Sequence, residues 1–227
     1  MRAVIFDLDQ TLYPESDFVR SGFRAVAAHL AERCGGSAAA LAEEMESILW
    51  QQGRGRVFDL LRERHGWGAR VAPDTLLHIY RTHVPVLRMH VDATELLGQL
   101  RVPLGLVTDG HPTAQHGKIA ALGLADRFSA IVCTGDLGAH AAKPAATGFR
   151  VCLERLGVAP ADAAYVGDDA AKDFAAPRGL GMRSVRVVRA IETGFGWFTA
   201  GEGTEADLVV EDLREAREFL LGRDVAK

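Results

Sequence analysis

This 227-residue sequence predicts an α/β fold, a doubly wound parallel sheet with an inserted α-helical block. Three observations predict it. Apolar runs end abruptly in polar residues near positions 7, 108 and 168. Such runs read as strands buried on both faces, which deliver their polar groups at the carboxyl edge of a sheet. From residue 91 onward helical and strand-like segments alternate, as in a parallel sheet with helices on both faces. Between the first strand and that alternation, residues 14–90 show helical spacing and no convincing strand.

The first strand is Val4-Ile5-Phe6, which runs straight into Asp7-Leu8-Asp9-Gln10-Thr11-Leu12. Phe18, Phe23, Val26, Ala27 and Leu30 then recur at helical spacing, with Ser16 or Asp17 as N-cap and Gly35-Gly36 as the stop. A second helix runs from Ala38 to Gln51, ahead of Gly53-Arg54-Gly55-Arg56; a third begins at Val57 and ends near His65, and a fourth spans Asp74 to about Val84. In the second half, strands are predicted at 103–107, 130–133, 163–166, 183–188 and 207–210. Helices are predicted at 92–100, 113–122 behind Pro112, 145–156 before Gly157, 171–180 and 213–221. The division is then residues 1–13 with 91–227 for the α/β core and 14–90 for a helical cap.

Composition narrows the function. With 26 Lys and Arg against 30 Asp and Glu, the formal charge of -4 offers no electrostatic footprint for nucleic acid. An apolar share of 48% and a charged share of 25% are those of a soluble globular protein. Met1 stands almost against the first strand and no apolar run approaches a membrane span, so a cytoplasmic protein with no membrane partner is expected. Cys34, Cys133 and Cys152 are odd in number and widely spaced, and read as buried free thiols.

Four polar groups converge on one side of the predicted sheet. They are Asp7 and Asp9 after the first strand, Thr108-Asp109-Gly110 after the second, Lys143-Pro144 before a helix, and Gly167-Asp168-Asp169 with Asp173 beyond. Ligands of open α/β sheets bind at the carboxyl ends of the strands, so these groups lie where chemistry is expected. A carboxylate can accept a phosphoryl group, splitting one hard displacement into two easier ones. A phosphate dianion repels that carboxylate, so such a site needs a cation and fixed donors. Mg²⁺ favours a few carboxylates plus phosphate oxygens, which Asp7 and the Asp168 group supply. Lys143 and the Thr108 hydroxyl can hold the transferring oxygens.

With these motifs in this order, the chain resembles the haloacid dehalogenase superfamily of phosphatases, in the subfamily with a helical cap after the first motif. The likeness spans nearly the whole chain. It implies a Rossmann-like core, Mg²⁺ as cofactor, Asp7 as nucleophile and Asp9 as the general acid/base. It also implies a metal ligand in the main-chain carbonyl of Asp9, a phosphate-binding loop at Thr108 and Asp109, and Lys143 steadying nucleophile and phosphate. Asp168 is the implied side-chain metal ligand beside Asp7, with Asp169 or Asp173 assisting directly or through water, and Gly167 fits a tight turn. Gln10 stands where many relatives have glycine or a small polar or acidic residue, and its longer side chain is expected to narrow the mouth or touch substrate. Asp169 stands where asparagine or serine is common. True dehalogenases lack the second aspartate because no leaving oxygen needs a proton, so Asp9 argues for phosphate-ester chemistry.

The expected activity is Mg²⁺-dependent hydrolysis of a small phosphorylated metabolite, nucleotide and sugar phosphates being the classes in view, by a monomer or homodimer. The competing readings are a phosphosugar mutase and a non-catalytic phosphometabolite-binding protein on the same core. A phosphonate hydrolase needs a cap lysine, and residues 14–90 contain none. A phosphorylatable receiver domain would carry its acidic residues in another order and no helical insertion. Specificity is expected in the cap and at Gln10. His111, Arg54 and Arg56 are candidates for substrate contact, and Gly194-Phe195-Gly196-Trp197-Phe198 for a core or partner contact.

Overall fold

The computed structural model describes residues 1–189 and 205–221, so the aromatic stretch 194–198 lies outside the described residues. Six strands form one parallel sheet: β1 (Ala3–Phe6), β2 (Leu104–Thr108), β3 (Ala130–Cys133), β4 (Ala163–Gly167), β5 (Arg183–Val187) and β6 (Leu208–Val210). Their order is β3-β2-β1-β4-β5-β6, with Phe6 level with Leu106 on one side and Val166 on the other. The chain builds outward from β1 through β2 to β3, then returns to place β4 on the other flank of β1. The order therefore reverses between β1 and β4, and a ligand crevice opens at such a switch point. Asp7 and Asp168 leave the sheet at that point, and the Asp7 N–H still donates to the Val166 carbonyl at 2.8 Å.

Period-two alternation sorts β1 between two cores. Val4 and Phe6 pack with Leu104, Leu106 and Val185 on one face, and Ile5 packs with Val107, Phe149 and Tyr165 on the other. Helices α5 (Val91–Gln99), α6 (Pro112–Ala121), α7 (Thr147–Leu156), α8 (Ala175–Leu180) and α9 (Arg217–Leu220) belong to this layered part. Between β1 and β2 come α1 (Glu15–Cys34), α2 (Ala38–Gln52), α3 (Val57–Arg64) and α4 (Pro73–Thr82). These have an apolar cluster of their own, with Phe23, Val26, Leu30, Met45, Ile48, Leu61 and Leu76 buried together. No described helix is long and apolar enough to cross a membrane.

Three sequence expectations are corrected. Neither Ser16 nor Asp17 caps α1: the helix starts at Glu15, directly after an extended Pro14. The Glu15 N–H is taken instead by Oε1 of Gln10 at 3.2 Å, from outside the helix. The helix expected over 171–180 begins only at Ala175, because residues 168–173 wrap around the Asp173 carboxylate. Of the three free cysteines, Cys133 and Cys152 are buried but Cys34, at the end of α1, is partly exposed.

Gln10 also adopts φ of +59°, a left-handed backbone that side-chain-bearing residues resist. Its side chain is thereby folded onto α1 and does not reach the mouth as expected. Gln10→Ala keeps the strain and loses the cap, and is expected to cost about 1 kcal/mol. Gln10→Gly loses the cap but removes the strain, and should recover most of that. Thermal melts of the two variants check this, and an alanine variant as stable as the parent would rule out the capping role.

Candidate active site

The carboxyl ends of β1 and β4 present three acids around one lysine. Lys143 Nζ donates to Asp7 Oδ1 at 2.6 Å, to Asp173 Oδ1 at 2.7 Å and to the Tyr165 hydroxyl at 3.2 Å. Tyr165 in turn donates to Asp173 Oδ1 at 3.0 Å, and Asp173 Oδ2 accepts the N–H groups of Asp168 and Asp169. Both oxygens of Asp173 are thus occupied, and it is fully buried. Gly167 is needed for this approach and not for a positive φ: a Cβ there would lie 2.6 Å from Asp173 Oδ2.

One oxygen each from Asp7, Asp168 and Asp173 falls within 4.8 Å of the others. The charges do not balance, since three carboxylates share the Lys143 ammonium and a weaker pull from Lys172. Burial, with the Asp173 charge added against the pull of Lys143, pushes Asp7 up to about 7. Burial and then the charges of Asp173 and Asp7 raise Asp168 well above the usual carboxylate range. Asp173 goes the other way: burial would raise it, but Lys143 and its hydrogen bonds hold it low. A largely buried, oxygen-only donor set with excess negative charge is what a hard divalent cation needs. The residues fit Mg²⁺.

Asp9 occupies a separate environment. Both its oxygens receive the Lys118 ammonium, at 2.8 and 2.9 Å, and it also accepts from Gln115 Nε2 at 3.0 Å and from the Tyr13 hydroxyl. Burial would raise this carboxyl, but the Lys118 charge and the hydrogen bonds from Lys118, Tyr13 and Gln115 outweigh it and hold Asp9 below its ordinary value. Its carboxylate is not part of the acidic trio, which leaves only its main-chain carbonyl for the metal-ligand role implied by the resemblance. Asp169 also turns away, accepting the Ala171 N–H at 2.9 Å and lying 3.5 Å from Lys172.

At the end of β2 the two predicted phosphate ligands part company. Thr108 is 1% exposed, and its hydroxyl is buried with no hydrogen-bond partner. A buried polar group left unpaired costs free energy, so this hydroxyl is poised for an oxygen that arrives with a ligand. Asp109 has no such freedom. Its carboxylate accepts the Thr134 hydroxyl at 2.6 Å and the Lys143 backbone N–H at 3.2 and 3.1 Å. A committed anion there would also repel a phosphate, so the side chain braces the Lys143 loop.

Sequence reasoning missed Lys118, Gln115, Tyr13 and Tyr165. Lys118 and Gln115 are one helical turn apart on α6, both buried, and Lys118 also lies 4.3 Å over the Phe18 ring. A lysine on the apolar face of a helix was the available signal. Beside Asp9 opens a cavity of about 520 Å³, bounded by α1 to α4 on one side and by α6 and the 109–111 loop on the other. His111 and Arg54 line it. Arg56 does not, and pairs with Glu63 at 3.3 Å on the surface.

A doubly wound sheet with paired aspartates after its first strand and a helical insertion over their ends defines a class, and comparison with known proteins agrees. The family profile of haloacid dehalogenase-like hydrolases matches residues 1–181. The chain belongs to that family, and it is a phosphatase enzyme. It is 31% identical, over 83% of its length and 84% of the other's, to glyceraldehyde 3-phosphate phosphatase of Methanopyrus kandleri. It is 37% identical to phosphoserine phosphatase of Thermus thermophilus, over 56% of this chain and 49% of that protein. Among solved structures, a haloacid dehalogenase-type phosphatase from Thermococcus onnurineus superposes with a TM-score of 0.63 at 27% identity, over 99% of this chain and all of that one.

Proposed function

We propose that the protein is a Mg²⁺-dependent phosphomonoesterase that hydrolyses a small phosphorylated metabolite through a phosphorylated Asp7. The observation that supports this most is the contrast between the two aspartates of one turn. Asp7 sits on Lys143 among other acids, whereas Asp9 sits on Lys118 at the cavity wall. Two carboxylates held in different environments can take different roles.

A carboxylate oxygen of Asp7 attacks phosphorus as the ester P–O bond breaks, and Asp9 gives its proton to the departing alcohol oxygen. Water then attacks the phosphorus of the acyl phosphate, Asp9 takes its proton, and phosphate leaves. Lys143 offsets the repulsion between Asp7 and the dianion, and the Thr108 hydroxyl donates to a phosphoryl oxygen. Lys118 keeps Asp9 ionised for the base step, and negative charge arriving beside Asp9 favours its taking up a proton for the acid step. Asp7 and Asp168, braced by Asp173, would hold Mg²⁺, which supplies positive charge against the transferring phosphoryl group. Residues 14–90 serve as a cap that keeps bulk water from the site.

Phosphate release from a panel of phosphomonoesters, with and without Mg²⁺, tests this reading. Metal-dependent release is expected. Isomerisation of a sugar phosphate without release would make the protein a mutase instead.

Lys118→Met is a sharper test of Asp9. Removing the ammonium raises the Asp9 pKa, since opposite charge is what stabilises its anion. The acid form then persists to higher pH and the base form appears only at higher pH, so both limbs that report Asp9 move up. The pH optimum of turnover should rise in the variant, and an unmoved profile would detach Lys118 from the chemistry.

A further inference from the structure

The cavity beside Asp9 has a wall unlike that of a site for a small polar alcohol. Phe18, Phe23, Phe58 and Tyr80 line it as a connected set of rings, with Phe18–Tyr80 centroids at 5.4 Å, Phe58–Tyr80 at 5.8 Å and Phe23–Phe58 at 6.2 Å. Leu49 and Leu77 extend the same surface.

Several polar groups next to Asp9 are committed to each other, while Arg81 and His111 also line the cavity and Gln115 Oε1 is buried with no partner among the described residues. Lys118 and Gln115 hold Asp9, Arg54 Nη2 holds Glu15 at 2.7 Å, and Asp109 braces the Lys143 backbone. A polyhydroxylated leaving group would find polar partners toward Arg81, His111 and Gln115 but none from Phe18, Phe23 and Phe58, where each unpaired hydroxyl is costly. A three-carbon alcohol would leave most of the 520 Å³ unfilled and the rings untouched. An aromatic or similarly flat apolar group would meet these rings and release the water around its own surface.

We infer that the preferred substrate is the phosphate monoester of an alcohol carrying an aromatic or similarly apolar group, seated among Phe18, Phe23, Phe58 and Tyr80 with its ester oxygen toward Asp9. This rests on the phosphatase reading of the site and adds to it the class of leaving group.

The test compares 3-phenylpropyl phosphate with propyl phosphate, whose leaving alcohols have nearly the same acidity, so that only the ring differs. In Mg²⁺ buffer the phenyl ester should show roughly tenfold to hundredfold higher kcat/KM, the value of burying one phenyl group, with most of the gain in KM. Gly22→Ala supplies the structural arm. Gly22 lies on α1 outside the cavity lining, and a Cβ there would fall 2.4 Å from Tyr80 Cδ2, so the ring must shift. That variant should lower the ratio between the two esters. Equal or lower kcat/KM for the phenyl ester, or preference for glycerol phosphate over both, overturns the inference while leaving the phosphatase intact. Absence of turnover on every ester overturns the phosphatase reading and this inference with it.

Discussion

Asp7→Asn is expected to remove phosphate release from every ester, by at least roughly a thousandfold, while the protein folds as before. An amide of the same shape cannot form the acyl phosphate, and the remaining groups can only bind the substrate. The fold should tolerate the change because Asp7 is one of three clustered carboxylates, with Asp7 and Asp173 buried and Asp168 partly so, in excess over the lysines beside them. Losing one negative charge from that excess leaves Lys143 still paired with Asp173 at 2.7 Å. In the presence of EDTA the variant should therefore melt at the same temperature as the parent or higher. The rise in melting temperature on adding Mg²⁺ should be smaller than in the parent, since one donor of the set has lost its charge. Phosphate-release assays and thermal melts with and without Mg²⁺ read both effects. Retained turnover would remove Asp7 as the nucleophile; a collapse of the fold in EDTA would mean that the Asp7–Lys143 pair is structural first.

Asp9→Asn is expected to slow turnover by roughly a hundredfold to ten-thousandfold, the usual worth of a positioned acid/base. The loss should depend on the leaving group. An alkyl ester needs its oxygen protonated as the bond breaks, whereas a nitrophenyl ester departs without help, so the alkyl ester should suffer more. With the nitrophenyl ester the second step becomes the slow one, because no group takes the proton of the attacking water. Phosphorylated protein should then accumulate, visible by intact-protein mass measurement after an acid quench. The variant also leaves Lys118 buried without its carboxylate, so a stability control is required, and unpaired buried charges are costly. Equal losses on both esters with no phosphorylated species would place Asp9 outside proton transfer.

The legible part of this protein was carried by short-range pattern. Val4-Ile5-Phe6 reads as a buried strand because nothing polar interrupts it, and in the structure all three are fully buried. The four helices of residues 14–90 and the alternation from residue 91 onward are likewise local, since periodicity and glycine stops need no knowledge of partners. The failures have equally physical causes. Residues 171–174 read as helix, but the carboxylate of Asp173 draws in the N–H groups of Asp168 and Asp169 and holds the backbone in a turn. The carboxylate of Asp109 is not free for phosphate, because Thr134 and the Lys143 backbone, both distant in sequence, claim it, which leaves only its main chain for the loop role implied by the resemblance. Gln10 reads as a mouth residue and is instead bound to the start of α1.

By itself, then, the sequence determined the α/β class, the helical insertion and the strand ends from which Asp7, Thr108 and Asp168 emerge, because each depends on the order of residues along one segment. Only the tertiary structure decided what each carboxylate meets. The separations of 109 positions from Asp9 to Lys118, and of 136 from Asp7 to Lys143, are spanned by packing and not by pattern. Those contacts give the two neighbouring aspartates opposite electrostatic surroundings. They also set an aromatic wall beside one of them, which no stretch of the chain displays alone.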